Sequence, residues 1–430
     1  MGSWQPRATV TSPIRAARLT MRGALVIVAV ATLGTAGCFT ATPTFHQSEP
    51  SVPPTSLGTP STPSASPSVS ATTPTGGVES EQACVDDTMA KMSLRQVVAQ
   101  LMLVGTPIGS PSSVDSVVRT YGVGGVFLAG RSHESASQLR SAIRSLQAQA
   151  PKGIGLFIAL DQEGGEVQTL QGADFPPIPT AVAQGQLSQS TLRAQTITWA
   201  RRLASIGVTL DLAPVADTVP AALGTGNPPI GAFYREYGSD PTKVAADIST
   251  VVTAMQSTGV MSTLKHFPGL GRVLENTDTA AGAVDSVMTS HDPYLGPFIA
   301  GIRAGTGAVM VSSASYPNLD SHAIAAFSSP IVTGLLRNQL GFRGLVVSDA
   351  LGGAAAVASV PVSQRAVRFI GAGGDLALDT QASSAPAMIN GLVAAAQSSA
   401  SFTAKVTAAA RVVLRSKYAS GLLGCSPRQP

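Results

Sequence analysis

Eight short apolar runs, separated by helical patterns or long loops, constrain this 430-residue chain more than any other feature. They read LMLV (101–104), GGVFLA (124–129), LFIALDQ (156–162), VTLDLAPV (208–215), VMSTLKHF (260–267), AVMVSS (308–313), GLVVSDA (344–350) and DLALD (375–379). Near-continuous apolar strands of this kind are buried on both faces, as parallel sheets require. Ser93 is placed to cap a helix through Gln100, and further helical patterns cover 135–150, a stretch ending near Ala204, 242–256, 329–340, 384–398 and 402–417. The alternation predicts an α/β fold, a (β/α)8 TIM-type barrel forming a single catalytic domain, although a doubly wound open sheet would alternate in a similar way. Polar residues decide between the two. Asp161, Asp211, Asp217, Lys265, His266 and Asp349 all fall at or just after the carboxyl ends of strands, where a barrel keeps its chemistry.

The barrel does not occupy the whole chain. Arg15, Arg18 and Arg22 precede a short apolar run, 24–33, and small residues then lead to Cys38 in LGTAGC. That run is short for a membrane span and reads as an export signal. The pattern resembles a bacterial lipoprotein signal over residues 1–37, with Thr35 where Leu is usual. The resemblance implies lipidation of Cys38 and anchoring to the outer face of the cell membrane. A secreted protein cut nearby, or a form released from the membrane, is the alternative. Residues 38–82 are rich in Pro, Ser and Thr and read as a disordered tether, which leaves 83–430 as the folded domain. Residues 1–37 hold four arginines and no acid; without them the 28 basic residues fall to 24, matching the 24 acidic ones. A nucleic-acid partner needs a basic surface, and none is expected. Cys84 and Cys425 bracket the folded region. Export permits a disulfide between them, since the first and last elements of a closed barrel are neighbours; two unpaired thiols are the alternative.

The most specific wording is LKHFPGLGRVLENTD (264–278). Lys265 and His266 end an apolar run, and Pro268, Gly269 and Gly271 turn the chain sharply after it. A Lys–His pair at a strand end suits hydroxyl groups or an anion, or forms a salt-bridged Lys beside a core His. Asp349 ends the apolar run VVSDA, where a carboxylate without partners is unfavourable; it is a nucleophile candidate or a helix cap. Asp161, in LDQEGG, precedes paired glycines that allow close approach to a ligand.

KHFPG, DQEGG and GF-x-GLVVSDAL together resemble glycoside hydrolase family 3, in its single-domain β-N-acetylglucosaminidase branch, over about residues 90–380. The resemblance implies that Asp349 forms a glycosyl-enzyme intermediate and that Asp161, Arg235, Lys265 and His266 hold the sugar. Glu166 stands where an Arg is common, and Asp375 matches a further family segment or serves the barrel base. The family's Asp-x-His acid dyad is absent: Asn276 and Asp278 fall on its two positions. Asp278 is then the candidate acid/base, with Glu275 or Glu236 as substitutes.

These readings amount to an exported glycosidase that removes terminal β-linked N-acetylglucosamine from peptidoglycan fragments by a retaining mechanism. A monomer acting alone is expected, and no metal or organic cofactor is implied. A β-glucosidase or β-xylosidase on the same barrel is the first alternative. A catalytically inactive sugar-binding lipoprotein is the second.

Overall fold

The structure, a computed structural model, describes residues 80–427. The export signal, Cys38 and most of the expected tether lie outside them.

Each of the eight apolar runs contains a strand: β1 (Met102–Pro107), β2 (Gly125–Ala129), β3 (Phe157–Leu160), β4 (Leu210–Asp211), β5 (Met261–Phe267), β6 (Ala308–Val311), β7 (Leu345–Ser348) and β8 (Ala377–Asp379). All pair in parallel, in the order β8-β1-β2-β3-β4-β5-β6-β7. The ring closes where Val347 bridges Leu376, with the Ser348 N–H donating to Leu376 O at 3.1 Å. The sheet is a barrel rather than an open doubly wound sheet.

The surrounding helices are α1 (Glu81–Ala90), α2 (Leu94–Ala99), α3 (Asp115–Tyr121), α4 (Ala136–Gln147), α5 (Gln189–Ile206), α6 (Pro241–Gln256), α7 (Gly296–Arg303), a π-type helix α8 (Pro330–Gln339), α9 (Val362–Ala372), α10 (Ala385–Ser398) and α11 (Ala400–Ala419). Their starts follow capping chemistry. Ser93 and Ser135 each close a reciprocal capping box with a Gln three residues on, and Asp240 caps α6 ahead of Pro241. These groups satisfy backbone N–H donors that a helix start leaves unpaired. The expected tether boundary at residue 82 is too late. Ser80 Oγ accepts the Ala83 N–H, so α1 starts at Glu81. Four helices, α1, α3, α7 and α9, have no counterpart among the expected patterns.

The amino-terminal end of the barrel is sealed by the two ends of the domain. α1 packs on α11, and Cys84 and Cys425 are joined by a disulfide with their Cα atoms 5.8 Å apart. Ile154, just ahead of β3, bridges Leu423. Lys417 of α11 is wholly buried there and donates to Gln100 Oε1 at 2.6 Å and to Gly155 O at 2.7 Å, with the Phe157 ring 5.5 Å away. Asp375 belongs to this end too. It accepts from Arg337 and from the Val346 N–H, a structural role away from the carboxyl-end cavity. Burial pushes its carboxyl up to about 6 despite the Arg337 charge.

At the opposite end the chain past β4 continues alongside β5. The Ala216 N–H donates to Lys265 O at 2.7 Å, and Val215 bridges Lys265. Gly271 lets the loop after β5 lie against this segment, because a Cβ there would sit 1.8 Å from Thr218 O. Lys265 and His266 are thereby fixed at the barrel's carboxyl end.

Candidate active site

A cavity of about 230 Å³ opens at the carboxyl end of the barrel and is lined by Asp161, Arg235, Lys265, His266, Asp278 and Asp349, among others. Phe127, Leu212, Met310 and Leu378 supply apolar surface to the same cavity. The structure therefore brings the six predicted catalytic and sugar-binding residues together.

The centre of the cluster is Lys265. Its Nζ lies 2.6 Å from Asp161 Oδ1 and 2.5 Å from Glu163 Oε1. Glu163 in turn accepts both arms of the Arg235 fork, from Nε at 2.8 Å and Nη2 at 2.7 Å. Burial pushes the Glu163 carboxyl up, but the Arg235 and Lys265 charges outweigh it and hold its pKa at about 2. Burial alone would drive Lys265 down; Asp161 and Glu163 raise it instead, so the amine stays charged. A buried charge is tolerated where it is paired and hydrogen-bonded. The local fold serves this arrangement. Gly164 and Gly165 adopt φ of 105° and 56°, turning the chain straight after Glu163. The Gln162 amide closes the loop on both backbone groups of Leu170.

His266 is held by Asp217. The His266 backbone N–H donates to both Asp217 oxygens at 3.1 Å, and ring Nδ1 lies 2.8 Å from Oδ2. Asp217 also accepts the Leu270 N–H at 2.8 Å. With Nδ1 engaged, Nε2 is the ring nitrogen left for a ligand. Asp217 is fully buried and absent from the cavity lining; it orients its neighbours.

Asp349 follows β7 and is half-buried. Its N–H donates to Val311 O at 2.9 Å, and its Oδ1 accepts the Ala350 N–H at 2.8 Å. Asp278 sits on the loop after β5, at the exposed mouth. Asn276 Oδ1 accepts the Asp278 N–H at 2.9 Å. The loop after β7 meets the loop after β5 through two main-chain bonds, Ala355 N–H to Asp278 O and Ala356 N–H to Thr277 O, both 3.1 Å. Although the residue is exposed, its carboxyl faces the cavity. Loss of water there raises its pKa, and the Asp349 charge raises it further against the pull of His266 and Arg235. A carboxyl group biased towards its protonated form, sharing a site with a second carboxyl group, is suited to proton donation beside an attacking carboxylate.

The other carboxyl candidates lie elsewhere. Glu275 is exposed and accepts the Gly282 N–H. Glu236 lines a separate surface cavity with Lys243. Glu166 is on the outer loop beside Arg131. Asp211 ends β4 but points away from the site, where it accepts the Gln162 N–H, and burial pushes its carboxyl up to about 8. Sequence reasoning missed the part played by Glu163, although it stands in DQEGG. A signal existed: a buried lysine and a nearby arginine need more negative charge than Asp161 alone supplies. Among the described residues, no group of three or more His, Cys, Asp or Glu side chains is arranged to hold a metal ion.

Comparison with known proteins identifies the family. A family model described as "Glycosyl hydrolase family 3 N terminal domain" matches residues 93–416. A β-hexosaminidase of Stenotrophomonas maltophilia (strain K279a) is 37% identical over 266 residues, which are 60% of this chain and 76% of that protein. The crystal structure of β-N-acetylhexosaminidase from Beutenbergia cavernae DSM 12333 superposes with a TM-score of 0.73 at 44% identity, covering 76% of this chain and 98% of that one. A family 3 β-N-acetylglucosaminidase from Paenibacillus sp. str. FPU-7 superposes with a TM-score of 0.71 at 27% identity, covering 79% and 65%.

Proposed function

From the premise that this chain belongs to glycosyl hydrolase family 3 and is a glycosidase, we propose that it releases terminal β-linked N-acetylglucosamine with retained configuration. The observation that carries this reading is the placement of Asp349 and Asp278 in one cavity, with the Asp278 carboxyl biased towards its protonated form.

In the first step an Asp349 oxygen attacks the anomeric carbon as the bond to the leaving oxygen breaks. Asp278 gives its proton to that oxygen. In the second step Asp278, now a carboxylate, takes a proton from water. The water oxygen attacks the same carbon and frees Asp349. Asp161, Lys265, His266 Nε2 and Arg235 hold the hydroxyl groups of the sugar. Their bonds to one another, to Glu163 and to Asp217 keep them in place before substrate arrives, so little reorganisation accompanies the reaction. The β-hexosaminidase and β-N-acetylglucosaminidase relatives support the choice of sugar.

The natural source proposed is peptidoglycan fragments outside the cell membrane. The sequence pattern leading to Cys38 supports export and a lipid anchor there, with a released form as the alternative. The lipid would hold a monomer at its substrate. Among the described residues no helix is long and apolar enough to cross a membrane.

The test is release of nitrophenol from the β-N-acetylglucosaminide, with the β-glucoside beside it, by the full chain and its Asp349→Asn and Asp278→Asn variants. Turnover of the first substrate, lost in Asp349→Asn, is expected. Faster turnover of the glucoside would move the protein to another specificity of the family. No turnover of either, with N-acetylglucosamine still bound, would leave a sugar-binding protein.

A further inference from the structure

Without residues 1–37, basic and acidic residues balance, yet the fold separates them between the two ends of the barrel. Acids gather at the carboxyl end, where Asp161, Glu163, Asp217, Asp278 and Asp349 stand. The amino end carries cations. Arg119, Arg144, Arg303 and Arg337 occupy the last turns of α3, α4, α7 and α8. A cation there is favourable for the helix itself, so these four alone argue little. Lys152 and Arg343 have no such reason. They stand exposed in the loops ahead of β3 and β7, and neither side chain bonds to another described residue. The acids at this end are mostly paired: Glu81, Asp86 and Asp375 meet Arg415, Arg411 and Arg337. Asp87 of α1 is exposed without such a pair.

Arg343 also lines a cavity of about 350 Å³, together with Arg337, Lys405, Arg415 and Asp375. Asp375 is held by Arg337 at 2.5 Å. Lys405 reaches the Gly371 carbonyl, and Arg415 reaches Gln82 Oε1 at 2.8 Å. Arg343 is the cation left for a ligand. The Arg415 contact sets this cavity beside the start of α1, where the chain from Cys38 enters the domain at Ser80.

We propose that the amino-terminal face of the barrel docks on anionic phospholipid headgroups, with the Arg343 cavity receiving a headgroup phosphate. The proposal rests on the export and lipid-anchor reading given above. A guanidinium fork matches phosphate oxygens with paired N–H bonds. Attraction of basic residues to an anionic leaflet falls off within a Debye length, so such a face works only when held near the surface. A lipid on Cys38 does this by making the second contact intramolecular. A soluble polyanion offers the same phosphates, but the chain enters beside the cavity, which favours the surface to which that chain is attached. With this face on the membrane, the catalytic cavity at the opposite end points away from it, towards substrate.

The experiment is co-sedimentation with vesicles, using the chain from residue 38 onward with Cys38→Ser, so that no lipid attaches. It keeps residues 73–430, which form a compact unit of their own. Binding to vesicles of phosphatidylglycerol and phosphatidylcholine in equal parts, weakening with salt, is expected, with little on phosphatidylcholine alone. Lys152→Glu with Arg343→Glu should lower the partition about 25-fold or more, at about fivefold per cation lost, and leave hydrolysis of a soluble nitrophenyl glycoside unchanged. Arg193→Glu, a like charge change near the start of α5, should lose far less per charge. Equal binding to both vesicle types overturns the proposal, as does parent-like binding by the double variant or an equal loss per charge in Arg193→Glu. Binding to soluble polyphosphate but not to vesicles assigns the face to a polyanion and also overturns it. Labelled palmitate on Cys38 in cells reads the anchor by itself. Without label the anchor reading fails and docking falls with it; with label and no vesicle binding, docking alone fails.

Discussion

Two lysines lie out of water in this barrel, one at each end, with opposite consequences. Lys265, at the carboxyl end, is 2% exposed and touches two carboxylates; its pKa is raised and it is a cation. Lys417, at the amino end, is 0% exposed and meets an amide oxygen, a carbonyl and an aromatic ring; burial, with no acid to oppose it, lowers its pKa to about 7. Burial is the same at both sites, and the partners differ. One end of the fold concentrates charge that a ligand can use, and the other neutralises charge to close the domain.

The contrast is sharpest for changes that should affect one property and spare the other. Asp349→Asn should lower turnover about 10⁴-fold or more while leaving the melting temperature near its parent value; steady-state kinetics beside calorimetry checks both. Glu163→Gln should do harm twice. It takes one anion from both Lys265 and Arg235, so a loss of about 3–5 kcal/mol in denaturant unfolding is expected, with weakened sugar binding. An unchanged stability would break the claim that the upper charges depend on their pairing. At the lower end, replacing Cys84 and Cys425 together by Ser should reduce stability by about 2–4 kcal/mol with kcat and KM intact.

A pH series separates the two lysines. The Lys417 amine titrates near its ordinary 10.5 when unfolded and about 7 when folded. Below pH 7 both states carry the proton and the buried charge weighs fully against folding. Between pH 7 and 10.5 the unfolded chain binds more protons, so stability from this group rises with pH. Lys417→Met should therefore gain most over the parent near pH 6. That advantage should shrink by about 1.4 kcal/mol per pH unit above 7, as read from unfolding curves across the range. A flat difference would mean that Lys417 keeps its proton when buried.

The same contrast explains what could be read from the sequence. All eight strands were visible because apolar runs buried on both faces leave little doubt about their state. Helices α3 and α7 are short, at seven and eight residues. Runs of that length give a weak periodic signal, and they went unseen. α9 has the length and the amphipathic pattern of a helix but follows a Gly/Ala-rich stretch that obscured its start. Asp161, Lys265, His266 and Asp349 were legible because strand-end polar residues stood in distinctive motifs. Glu163 and Asp217 were harder, since their work is to charge-balance or orient other side chains, a property of contacts between residues far apart in the chain, 49 positions for Asp217 and His266. Lys417 offered no signal at all: within α11 it reads as an ordinary surface lysine.

The two bonds from Ala355 and Ala356 to the backbone of Asp278 and Thr277 have a consequence for how such a catalyst can change. The register between the loop carrying Asp278 and the loop that follows Asp349 is written in the main chain. The side chain at position 278 is therefore a fitting in a socket whose position does not depend on what occupies it. An aspartate there and a histidine there would each be presented to Asp349 by the same strut. On the proposed roles, Asp278→His would alter the chemistry of proton donation without rebuilding the barrel.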